Sequence, residues 1–86
     1  MELSEEQKIF FETMTKELPP FIARDSVSDF FGGLISRKTM ASKDCLGDGP
    51  KVKYRVGKKV VYPREDLLLW FIENYSIQRL KGKADL

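Results

Sequence analysis

Two groups of side chains carry the chemistry this chain has to offer. Between Lys51 and Arg64 stand six cations, Lys51, Lys53, Arg55, Lys58, Lys59 and Arg64, with no acidic residue among them. A second group, Ser36, Arg37, Lys38, Thr39, Ser42 and Lys43, mixes cations with hydroxyls. Together such groups can neutralise phosphates with release of counterions and donate hydrogen bonds to base edges. Catalysis would need a nucleophile with its base, or a metal set. The chain has no histidine and one cysteine, Cys45, so neither an internal disulfide nor the usual zinc sets can be built. The expectation is a binding protein and not an enzyme, with no cofactor, no metal and no small-molecule substrate. The basic ribbon reads equally as a solvated strand face, since lysines commonly blunt exposed edges.

The charge is local. Residues 1–20 carry minus three, 21–50 zero, 51–64 plus six and 65–86 minus one, so the formal net charge of +2 conceals a patch that would draw a polyanion. At 86 residues the chain makes one domain, burying roughly 60–65% of its unfolded surface around a single core. The longest apolar run, Leu67 to Ile72, is far too short to span a bilayer. The acidic start MELSEEQK lacks the basic start and apolar run of a secretion signal. The expected setting is cytoplasmic, away from membranes.

The elements that must position these groups follow from patterning. Val52, Tyr54 and Val56 alternate with Lys51, Lys53 and Arg55, the period of a strand with one buried face. A three-residue loop of Gly57, Lys58 and Lys59 sets Val56 opposite Val60 and Tyr54 opposite Tyr62, gathering the apolar residues on one side and leaving Val61 outward. A two-residue Gly57-Lys58 turn would put Val60 and Tyr62 on the basic face, so the longer loop is expected. Pro63 then suits the first position of a helix, with Glu65 and Asp66 at its positive end. Leu67, Trp70, Phe71 and Tyr75 share one face of that helix, Trp70 reading as core, and the helix is expected to reach about Leu80. Beyond it, Gly82 and mixed charges suggest fraying, with Arg79, Lys81 and Lys83 as weak phosphate contacts.

Ahead of the ribbon, three helices are expected. Ser4 and Gln7 form a capping box, Leu3, Gln7, Phe10, Phe11, Met14 and Leu18 make one stripe with Ile9 off it, and Pro19-Pro20 stops the helix. Val27, Phe30 and Phe31 mark a short helix from about Arg24, with Gly32-Gly33 as its left-handed exit. A third helix begins at the Ser36 cap, with Ile35 and Met40 as a hydrophobic staple, and ends near Gly47. If Met40 faces the core, Lys38 and Ser42 point directly away. Arg37 and Lys38 in its first turn oppose the helix dipole, a local cost that phosphate binding could offset.

Two short helices around a glycine turn, then a basic hairpin and a closing helix, is the order of a helix-turn-helix with a wing. In FIARDSVSDFFGG, ISRKTMASKD and GDGPKVKYRVGKKVVYPREDLLLW the chain resembles the winged helix-turn-helix family of phage and mobile-element regulators, the excisionase and AlpA-type proteins related to the MerR DNA-binding domain. The resemblance covers about Phe21 to Tyr75 and is most specific in the last of these segments. Where the family usually has a Thr or Ser cap with Glu three residues on, this chain has Ala23 and Ser26, leaving Asp25 as the alternative cap.

The resemblance implies a winged helix-turn-helix over residues 21–75 with a two-stranded hairpin wing; with the extra N-terminal helix and Pro-Pro linker over 1–20 and the tail over 76–86, which lie outside it, the expected fold is α+β, mostly helical. It implies sequence-specific binding of double-stranded DNA by an excisionase-like protein or small transcriptional regulator, with bending of the DNA a further expectation. The helix from Arg37 would enter the major groove, with Ser36, Arg37, Lys38, Thr39, Ser42 and Lys43 as candidates and Lys38 and Ser42 the best placed to read bases. Lys53, Arg55, Lys58 and Lys59 would serve the wing. A domain this small is expected to bind as a homodimer or along tandem sites.

The runner-up is a protein-interaction module on the same scaffold, using the N-terminal stripe or Ile9. RNA binding ranks last, because the pattern places no aromatic pair on an exposed sheet face. Asp25 and Asp29 share a helix face but read as solvated, and GDGP lacks the lysine and helix of a phosphate-binding loop.

Overall fold

The computed structural model describes residues 2–80. Its order is α1 (Glu5–Glu17), β1 (Phe21–Ala23), a 3-10 turn (Arg24–Ser26), α2 (Val27–Phe30), α3 (Arg37–Leu46), β2 (Tyr54–Val56), β3 (Lys59–Pro63) and α4 (Arg64–Asn74). Local chemistry sets most boundaries. The Ser4 hydroxyl accepts from the Gln7 N–H while the Gln7 side chain accepts from the Ser4 N–H, closing the expected capping box. Ser36 caps α3 by accepting from the Thr39 N–H at 3.1 Å, and Gly47, at φ 79°, ends it. Asp25 does not cap α2: the chain enters that helix through a 3-10 turn without side-chain capping.

The sheet differs from the expected hairpin in two ways. It has three antiparallel strands, because Phe21–Ala23 pairs with β3 to give the order β1-β3-β2. The register is also the other one. Val56 faces Lys59, Arg55 faces Val60 and Tyr54 faces Val61, so the turn is the two-residue Gly57-Lys58 and not the longer loop. Gly57 sits at φ 63°, the positive value that a hairpin turn with glycine first requires and that matches the twist of the strands. Turn chemistry prevails over the apolar alternation of β2.

The side facing the core is defined by Ile22 opposite Tyr62, both fully buried. Lys53 and Arg55 share this side, while Phe21, Tyr54, Val56 and Val61 lie on the other. Tyr54 and Val56, expected inside, are 54% and 63% exposed.

Leu18, Ile22, Val27, Phe31, Ile35, Met40, Tyr62, Leu67, Leu68, Trp70 and Phe71 form one cluster. α1 joins it by stacking Phe10 on Phe71 at 5.3 Å between ring centroids, and Phe71 in turn stacks on Tyr75 at 4.7 Å. α4 buries Leu67, Leu68, Trp70, Phe71 and Ile72 and so is surrounded rather than one-sided. It starts at Arg64, with Pro63 ending β3, and stops at Asn74; residues 76–80 are not helical, contrary to the expected extension. The expectations for Lys81, Gly82 and Lys83 lie outside the described residues. No helix among those residues is long and apolar enough to cross a membrane.

Candidate nucleic-acid interface

Two acidic side chains bring the two cationic groups together. Asp25, in the 3-10 turn, accepts from Arg37 Nε at 2.6 Å through one carboxylate oxygen and from the Lys59 ammonium through the other. Arg37 opens α3 and Lys59 opens β3, so one carboxylate joins the start of the helix to the root of the hairpin turn. Its cations, Lys59 foremost and then Arg37, hold the Asp25 carboxyl below its usual range.

The second is Asp44 of α3, whose side chain is only 6% exposed. One oxygen accepts from Arg24 Nη2 and from the Tyr62 hydroxyl, each at 2.5 Å, and Arg24 Nε donates to the Tyr62 oxygen at 3.0 Å. This closed triangle ties the 3-10 turn, α3 and β3. Asp44 Oδ1 is buried without a hydrogen-bond partner, with Lys53 Nζ at 3.7 Å. Burial and then the hydrogen bond to Asp44 push the Tyr62 phenol up to about 12, and the bond to Tyr62 is foremost in raising Arg24. Gly49 packs so closely here that a Cβ would overlap Asp44 Oδ1.

On this frame the expected residues divide by availability. Met40 is fully buried, so Lys38 and Ser42, on the opposite side of α3, are turned away from the core as expected. Ser36 and Thr39 are engaged with each other, through the cap and a 3.0 Å contact between hydroxyls. Lys43 is half-buried. Arg37 and Lys59 are held by Asp25, and Lys53 lies beside Asp44. Lys38, Lys43, Arg55 and Lys58 make no ion pair with any of the described residues, and Arg55 and Lys58 are exposed. Lys53 and Arg55 lie on the core-facing side of the sheet, where Lys53 approaches Asp44 of α3, while Lys59 lies by register on the side of Val56.

The sequence pattern singles out neither acid as an organiser. Asp25 reads there as solvated or as a cap, and nothing local marks Asp44, because the partners of both come from distant segments. The ground for ranking RNA last also changes: Phe21 and Tyr54, each 54% exposed, meet edge to face on the outer side of the sheet at 6.0 Å. No group of three or more Cys, Asp or Glu residues among the described residues converges as a metal site. In comparison with known proteins, no family model, no curated protein and no solved structure matches this chain.

Proposed function

We propose that the chain is a sequence-specific binder of double-stranded DNA built as a winged helix, with α3 in the major groove and the β2–β3 hairpin as the wing on the backbone or minor groove. The observation that carries this reading is the bridge from Arg37 through Asp25 to Lys59, which sets the start of α3 and the hairpin turn side by side. In this reading Lys38 and Ser42 read base edges, while Arg37, Lys43, Lys53, Arg55, Lys58 and Lys59 contact or approach phosphates. Ser36 and Thr39 chiefly shape the helix start. The proposed role is that of an excisionase-like protein or small transcriptional regulator, acting as a dimer or along tandem sites because one such domain offers a small interface.

Selection from a random duplex pool, followed by binding at two salt concentrations, tests this. Lys38→Ala and Ser42→Ala are each expected to reduce preference for the enriched motif by about 5- to 100-fold, the range of a lost base contact. Arg55→Glu with Lys58→Glu should weaken all sequences alike and flatten the salt dependence. These two are cleaner probes than Lys53 or Lys59, whose reversal would also break contacts to Asp44 and Asp25. Absence of binding at low salt refutes the reading. The interaction-module alternative then takes its place, favoured by the groove where Ile9 and Phe10 of α1 face Ile77.

A further inference from the structure

α1 leaves one of its sides without a neighbour. Phe10, Phe11 and Met14 turn the helix onto the core, with Phe10 stacked on Phe71 of α4, yet none of its residues is fully buried. On the far side Glu5, Lys8, Ile9, Glu12 and Lys16 are all exposed, Ile9 to 55%. At 3.6 residues per turn these five fall within an arc of about 100°. Along one rim of the strip runs a groove in which Ile9, Phe10 and Thr13 face Ile77, from the segment after α4. The four charges make no ion pair with any of the described residues, although Lys8 with Glu12 and Glu12 with Lys16 have the i, i+4 spacing of pairs within a helix. They are available to a partner.

The order of the charges names that partner. From the N-terminal end the strip reads acid, base, acid, base, so a copy laid antiparallel presents base, acid, base, acid. With a two-fold axis crossing the helix near the level of Phe10, Lys8 meets the second copy's Glu12 at the same height. Glu5 meets the second copy's Lys16 within one residue, about 1.5 Å along the axis. Each pair then occurs twice, as a two-fold contact requires. The two Ile9 side chains lie beside one another between these pairs, next to the groove at Ile77. A parallel copy in register would set Glu5 on Glu5 and Lys16 on Lys16, which repels. The strip is neutral, two acids and two bases, inside a segment 1–20 that carries minus three; a strongly basic partner finds little to hold there, whereas a copy matches it charge for charge.

We infer that α1 is the subunit contact of a two-fold homodimer, paired antiparallel with α1 of a second copy through Ile9 and the reciprocal pairs Glu5–Lys16 and Lys8–Glu12. This assigns a surface to the pairing of copies that the duplex reading leaves open, and it rests on no contact of α3 or the wing with DNA. A helix of thirteen residues, about 20 Å long, offers less than the roughly 800 Å² a side of a standard interface. The dimer is therefore weak in free solution, with dissociation in the tens to hundreds of micromolar. It is reinforced when one duplex holds both copies and raises their effective concentration.

Sedimentation equilibrium of the full chain up to about 1 mM, with Cys45 kept reduced, tests this. Glu5→Lys with Glu12→Lys makes the strip wholly basic, and Lys8→Glu with Lys16→Glu makes it wholly acidic; circular dichroism confirms that each variant folds. Each alone is expected to self-associate at least about tenfold more weakly than the wild type, since four attractive contacts become repulsive. An equimolar mixture of the two should recover association. Ile9→Gln, which keeps a good helix former at the position, should weaken the wild-type dimer about tenfold, and it decides alone should a charge variant fail to fold. A wild type that stays monomeric at about 1 mM overturns the proposal, as does a dimer that any of these substitutions leaves intact. So does a mixture that associates no better than its components, which would make the alternation of charge an arrangement within one helix. No DNA is present in the experiment, so its failure leaves the duplex reading in place with copies on tandem sites, while a dimer that binds no duplex refutes that reading alone.

Discussion

Asp44→Ala is the substitution whose consequence can be worked most fully. The carboxylate is only 6% exposed and holds Arg24 and the Tyr62 hydroxyl at 2.5 Å each. Removing it leaves a guanidinium and a phenol without their acceptor. Breaking a buried ion pair from one side costs about 3–5 kcal/mol. The Arg24 side chain is 22% exposed, so water relieves part of its loss and about 2–4 kcal/mol is expected. A domain of this length has about 4–13 kcal/mol of stability in all. With a urea dependence of about 1 kcal/mol per molar, the unfolding midpoint should fall by about 2 M or more. Circular dichroism during urea unfolding measures it, and Asp44→Ala combined with Tyr62→Phe should cost less than the two separately, because both act on one triangle. A loss under about 1 kcal/mol, or strict additivity in the cycle, would refute the view that this triangle clamps α3 to the sheet.

Two further outcomes follow from the same frame. The Tyr62 phenol is raised to about 12 from 10.0 in the folded protein, so the folded state holds this proton more tightly than the unfolded chain. Its contribution, about 2–3 kcal/mol from that difference, is therefore complete below about pH 10 and lost as pH rises from about 10 towards 12. Tyr62→Phe should flatten the alkaline limb of stability in urea unfolding, and an unchanged limb would contradict the assignment. Asp25→Asn removes the charge shared by Arg37 and Lys59. The amide oxygen still accepts a hydrogen bond, so the frame is expected to hold while duplex affinity at low salt rises several-fold and the salt dependence steepens by up to about 0.9 in log–log slope for each additional phosphate neutralised, measured by anisotropy against the wild type; weaker binding would refute this expectation.

What can be read from the chain is whatever depends on neighbours in sequence. The Ser4–Gln7 box, the Ser36 cap, the left-handed Gly47 exit and the Met40 face of α3 are decided within one or two turns of backbone, and each stands where local chemistry puts it. The alternation of Lys53 and Arg55 with Tyr54 and Val56 likewise tells which residues share a side. It does not tell which side is buried, because period two is symmetric between the two sides of a strand. That choice is made by β1, three residues from a segment whose pattern reads as the entry to a helix, whose Ile22 pairs with Tyr62 and closes the core over the cationic side. The same pairing leaves Phe21 and Tyr54 outside and brings Asp25 to Lys59. The acids Asp25 and Asp44 find their hydrogen-bond partners 12 to 34 and 18 to 20 residues away. Sequence determined the helix caps and the inventory of charge; tertiary structure decided the third strand, the facing of the sheet and which charges meet, since these depend on contacts that no local pattern encodes.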